Sequence, residues 1–159
     1  MRPPKYPLEP LAELRDRSVD QAIGDLARAA RERDAAERRT QAHERDCQLH
    51  AAAAERVRST EAEALTKGAL RAADLAQRSA WEAQIAIERA GLASEVDRAR
   101  AHEAAARDQE SRALDQVVAA KAQAQVIASD RARWAEARRK RSEAREEEAL
   151  SESWRPPKS

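Results

Sequence analysis

Stepping alternately four and three residues along the chain from Leu8 visits Ala12, Arg15, Val19, Ala22, Leu26, Ala29, Arg33, Ala36, Thr40, His43, Cys47, His50, Ala54, Val57, Glu61 and Ala64. Counting Cys47, eleven of these seventeen positions are apolar, and the register runs without a skip. That spacing keeps one stripe of a helix turned toward a partner helix, as in a left-handed coiled coil. A second stripe starts at Ile85 and passes through Arg89, Leu92, Val96, Ala99, Glu103, Ala106, Glu110, Ala113, Val117, Ala120, Ala124, Ile127, Arg131, Trp134, Arg138 and Arg141, again with eleven of seventeen apolar. Two matched segments in one chain predict an all-α fold, a long two-helix antiparallel coiled-coil hairpin, because a short connection turns the second helix back along the first.

Proline and glycine place the ends and the bend. Pro3, Pro4, Pro7 and Pro10 crowd the start and Pro156 and Pro157 the end, with no helix-breaking proline from Leu11 to Arg155. Gly68, in LTKGALRAAD, stands where the first register stops, and a glycine just past a helical run is a common C-terminal stop. Lys67, read as part of the last turn, favours the negative end of the helix dipole. The expectation is therefore one elongated coiled-coil domain over 1–159: a first arm over about 8–66, a turn over about 66–72, a second arm over about 73–152, and irregular tails over 1–7 and 153–159. Gly91 is the fallback for the bend. At about 1.5 Å per residue the arms are roughly 80 and 120 Å long, so the second overhangs the first.

Composition limits what the pair can bury. The chain of 159 residues has no Phe, one Tyr and three Trp, and 37% of it is charged. Its seam is mostly alanine, which buries little area per residue at roughly 25 cal/mol per Å², and it is diluted by Arg33, Glu103 and Glu110. Exposed pairs such as Glu32 with Arg28, or Glu143 with Arg139, add only a few tenths of a kcal/mol each. A slender, marginally stable protein that gains order from partners is expected. Thirty basic against twenty-nine acidic residues give a net charge of +1, which calls for neither nucleic acid nor an anionic membrane. One cysteine suits a reducing compartment. No leader is evident in MRPPKYPLEP and no run approaches the roughly 18 apolar residues of a membrane span, so a soluble, cytoplasmic protein without membrane insertion is expected.

Candidate chemistry is sparse. His43, Cys47 and His50 share one stripe and are metal-ligand types, but a closed zinc site takes four ligands. A turn near residue 69 sets Cys47 opposite roughly position 91, beside Arg89 and Leu92, rather than beside His102; the three read as a polar stretch of seam. Residues 131–145, RARWAEARRKRSEAR, could hold RNA or an acidic membrane through Arg131, Arg133, Arg138, Arg139, Lys140, Arg141 and Arg145 around Trp134. The EEEALSE that follows reverses the sign within about a Debye length, which favours a protein-docking surface over nucleic acid. Leu75, Trp81, Ile85 and Ile87, at the start of the second arm, form a partner-binding patch because a thin helix pair offers them little core. There is no phosphate-binding glycine loop and no nucleophile elbow, so no enzyme activity, cofactor or metal is expected.

The lead-in YPLEPLAELRDRSVDQAIGDLARAARERDAAE resembles the start of the flagellar FliJ and injectisome YscO stalk proteins of type III export systems, through Tyr6, Pro7, Leu8, Leu11, Leu14 and Arg15. The two-helix layout and the Arg-rich then Glu-rich RWAEARRKRSEAREEEAL fit as well. The resemblance implies a cytoplasmic protein, peripheral to the export apparatus of the inner membrane, that links a hexameric export ATPase to the cytoplasmic domain of an export-gate membrane protein and admits secretion chaperones as further partners. By position it assigns Leu75, Trp81 and Ile85 to the gate, and Leu8, Leu11, Leu14, Arg15, Trp134, Arg138 and Arg141 to the ATPase ring. The Phe-x3-Leu-like pair frequent in flagellar members is missing, which favours the injectisome branch. The alternative from the residues alone is a structural coiled-coil scaffold or spacer with no export role.

Overall fold

A computed structural model describes residues 5–154. The described residues form an all-helical fold of two long helices packed against each other: α1 over Glu9–Thr66 and α2 over Ala72–Ser153. The tails expected to be irregular fall partly outside the described residues. Helix α1 opens without a Ser, Thr or Asp cap. Glu9 supplies a negative charge to its first turn, and Pro10 fits there because the first amides have no intrahelical acceptor. The Leu8 carbonyl accepts from Leu11 and Ala12 at 3.0 and 2.9 Å.

The break between the helices is built by backbone chemistry. Gly68 has φ 67, in the left-handed region. Its N–H donates to the Leu65 carbonyl at 3.0 Å, and Ala69 N–H donates to the Ala64 carbonyl at 2.9 Å. These are the paired bonds of a Schellman stop, which satisfy carbonyls that the helix end leaves over. Lys67 lies one residue past Thr66, so the last turn of α1 itself carries no basic residue. Helix α2 starts with half of a capping box: the Arg71 N–H donates to the Asp74 carboxylate at 2.7 Å.

The helices are apportioned between two compact units, Met1–Leu26 with Arg112–Ser159 and Ala27–Ser111. In the first, Ala22, Val117 and Ala120 form a buried cluster, with Val19 and Leu26 packed against it. In the second, Ala36, Thr40, Ala54, Val96 and Ala106 are buried. Among the described residues, every buried position on either helix lies on one of the two stripes read from the sequence. The stripe weakens at its ends. Leu8 and Val57 are exposed, as are Arg89, Arg131, Arg138 and Arg141. Among the described residues no large side chain is fully buried, which is the thin packing an alanine seam dictates.

Cross-helix bonds follow a consistent order. In the first unit, from the start of α1 onward, Glu9 meets Arg131 and Arg15 meets Gln123. In the second, Arg33 meets Glu110, Glu44 meets Arg100, His50 meets Glu88 and Arg58 meets Glu82. Residue numbers on α2 fall as those on α1 rise within each unit.

Candidate partner-docking sites

Two groups of residues singled out from the sequence sit in different units. In the unit Ala27–Ser111, Trp81 and Ile85 are half-buried and Leu75 is exposed. Trp81 is less available than a solvent-facing tip residue would be, because the Arg58 guanidinium lies over its ring, 5.9 Å from the centroid. Arg58 is held there by a two-pronged bond to Glu82, with Nε and Nη2 each 2.9 Å from a carboxylate oxygen. The hydrogen bond from Arg58 lowers the Glu82 pKa below the usual carboxylate range, and the reciprocal bond raises that of Arg58. Beside this clamp lies a cleft of about 310 Å³ whose apolar lining comes from Val57, Leu70, Leu75 and Trp81, with Glu61, Asp74 and Arg78 at its polar edge. Ile87, 68% exposed, points elsewhere than into the helix pair.

The second group lies in the unit Met1–Leu26 with Arg112–Ser159. Tyr6, the sole tyrosine, is 6% exposed although it precedes the first helix. Its ring meets Trp134 edge-on, centroids 5.7 Å apart at 63°. The hydroxyl donates to the Asp130 carboxylate. That bond first, and burial second, push the phenol up to about 12. Arg138 covers another part of Trp134, 5.6 Å from the ring centre. Arg15 donates to Gln123 at 2.6 Å, and Arg131 pairs with Glu9 at 2.9 Å. Leu11 is half-buried, whereas Leu8 and Leu14 are exposed, as are Arg138 and Arg141.

Of the residues assigned by position, Trp134, Arg138 and Arg15 are thus tied into local contacts, while Leu8, Leu14, Leu75 and Arg141 are open. Periodicity missed the Tyr6–Asp130–Trp134 cluster, because residues ahead of a helix have no heptad position. A signal existed: a single Tyr in a chain without Phe is a scarce means of burying area. The Arg58 clamp was missed because it flanks the seam rather than lying on it.

His43, Cys47 and His50 line up as successive half-buried seam positions. His50 Nε2 is 2.9 Å from Glu88 and His43 Nδ1 3.5 Å from Glu95. Each imidazole thus faces a different carboxylate, and among the described residues no three His, Cys, Asp or Glu side chains converge as metal ligands would. Among the described residues no helix is long and apolar enough to cross a membrane. No protein-family model, curated protein or solved structure matches the chain.

Proposed function

We propose that this chain is an antiparallel coiled-coil hairpin that serves as the central coupling protein of a type III export apparatus, joining a hexameric export ATPase to the cytoplasmic domain of the export gate. The observation that carries the reading is the packing of the lead-in. Tyr6, the aromatic of the segment that resembles the FliJ and YscO stalk proteins, is buried against Trp134 of the Arg-rich stretch. The two sequence features behind the resemblance therefore belong to one compact unit. The descending order of cross-helix pairs supports the hairpin, and the apolar cleft at Val57, Leu70, Leu75 and Trp81 supports a docking role for the start of α2.

In this reading the protein works without a cofactor and without chemistry of its own, in the cytoplasm beside the inner membrane. Leu8, Leu14 and Arg141 meet the ATPase ring, with Trp134 and Arg138 shaping that end, and Leu75 meets the gate. Secretion chaperones are further partners. The deciding experiment is reconstitution with the export ATPase from the same genome. The hairpin should co-purify with it and raise its hydrolysis rate, and Leu8→Glu with Leu14→Glu should abolish both effects while leaving the helical circular dichroism intact. A chain that neither binds nor stimulates that ATPase is a spacer, not a stalk.

A further inference from the structure

Beyond Trp134 the second helix runs without cover: every residue from Ala135 to Trp154 is exposed. Continuing the seam by the same alternating steps gives Arg138, Arg141, Arg145, Glu148 and Glu152. The positions flanking this line are Ala135, Ala137, Ser142, Ala144, Ala149 and Ser151, all small. One face of the uncovered segment is therefore a row of charges, basic first and acidic after, bordered by side chains that let another helix come close.

Arg138 lies over Trp134, but the four charges that follow it in the row are poorly served among the described residues. Arg139 pairs with Glu143 and Lys140 with Glu136 on other faces. Arg141, Arg145, Glu148 and Glu152 have no ion-pair partner among the described residues. Moreover, Arg141 and Arg145 stand four residues apart, as do Glu148 and Glu152, so each pair repels along the helix. A helix lying alongside in the opposite direction, with its own charges in the same order, reverses both repulsions.

We infer that a second copy of this chain pairs with this segment antiparallel, about a two-fold axis between Glu146 and Glu147, so that Arg141 faces Glu152 and Arg145 faces Glu148. Each contact then occurs twice, as an isologous interface requires. A partner running in the same direction sets Arg against Arg and Glu against Glu, so the order of charges selects the orientation. The interface is short and charged, hence weak and salt-sensitive. It leaves the seam between α1 and α2 untouched, and it does not depend on the stalk reading, under which Arg141 exchanges this contact for the ATPase ring.

Sedimentation velocity on the full chain tests this. A reversible dimer is expected in about 50 mM salt, with its dissociation constant raised roughly tenfold by about 500 mM. R141E/R145E and E148R/E152R should each be monomeric with unchanged helical circular dichroism, and an equimolar mixture of the two should associate again. Spin labels give an independent readout in a Cys47→Ser background. Introduced through Ala144→Cys they should lie within about 20 Å of each other in the dimer, and through Ala135→Cys about 35 Å apart, from the rise per residue. A chain that stays monomeric at low salt, a dimer indifferent to both charge reversals, or short distances at both labelled sites, which mark a parallel pair, would each overturn the inference.

Discussion

The two units join the same two helices by different means. In Met1–Leu26 with Arg112–Ser159, the contact is apolar and aromatic: Ala22, Val117 and Ala120 with Val19 and Leu26, then Tyr6 on Trp134. In Ala27–Ser111 the buried positions are alanines, Val96 and Thr40, and the seam continues through His43, Cys47 and His50. There the helices are bridged chiefly by charge, whereas the first unit adds the Glu9–Arg131 pair to an apolar contact. Arg33 grips Glu110 with two donors at 3.0 and 3.3 Å, Arg100 reaches Glu44 at 2.8 Å, Arg58 holds Glu82, and Arg78 meets Glu61 at 3.2 Å. Partly exposed ion pairs are weak individually and screened by salt, whereas apolar contacts are not. A chain short of large apolar residues thus buries an apolar cluster in one unit and relies more on electrostatics to hold the register in the other.

The largest single loss therefore comes from the aromatic pair. Trp134→Ala removes the surface on which Tyr6 and Arg138 both rest. It should cost about 3 kcal/mol, the low end for a large aromatic because Trp134 is only half-buried. Hydrogen exchange should locate the loss in residues 9–26 and 112–134, with the amides of residues 36–60 keeping their protection. Equal loss in both units would mean that the two do not differ in the way described.

The helices, the break between them and the buried face were legible because each depends on local rules. Alternating steps of four and three marked Ala22, Ala36, Ala54, Val96, Ala106, Ala113, Val117 and Ala120, all of which are buried, and Gly68 marked the left-handed residue that stops α1. Side-chain pairing across the helices was less accessible. Glu110, one of the charges that dilute the seam, is satisfied by Arg33, a choice fixed by the relative stagger of two helices rather than by spacing along either. Tyr6 escaped for a related reason: its burial follows from Trp134 lying 128 residues away in sequence, and no periodicity links them.

Thr40 is a polar residue buried in the seam of the ion-paired unit. It is 5% exposed, and its hydroxyl donates back to the Ala36 carbonyl at 3.2 Å rather than across to α2. That carbonyl keeps its ordinary helical partner without it, so nothing is left unsatisfied when the hydroxyl goes. Thr40→Val should therefore stabilise the chain by about 1 kcal/mol, the worth of one more buried methyl group. The measurement is the urea midpoint. A destabilised variant would show that the polar seam of this unit contributes more than register.

The smallest effect concerns acid. Glu82 and Glu88 both belong to the ion-paired unit, and both have pKa values below the ordinary carboxylate value of 4.5: Glu82 through the hydrogen bond from Arg58, Glu88 through its bonds to His50 and then Gln84. A carboxyl with a lower pKa in the folded chain binds fewer protons there than when unfolded. Its stabilisation is complete above about 4.5 and disappears as the pH falls through the lower folded value. Since both side chains are more than a third exposed, solvent screening keeps the effect small. Below about pH 4.5, hydrogen exchange corrected for its intrinsic rate should therefore accelerate in residues 50–58 and 82–88 before it does in residues 113–127, whose contacts are apolar. Glu82→Gln with Glu88→Gln should lower stability at neutral pH and flatten this acid response. If the double variant kept the parent's full acid dependence, the charge bridges would not be what distinguishes one unit from the other.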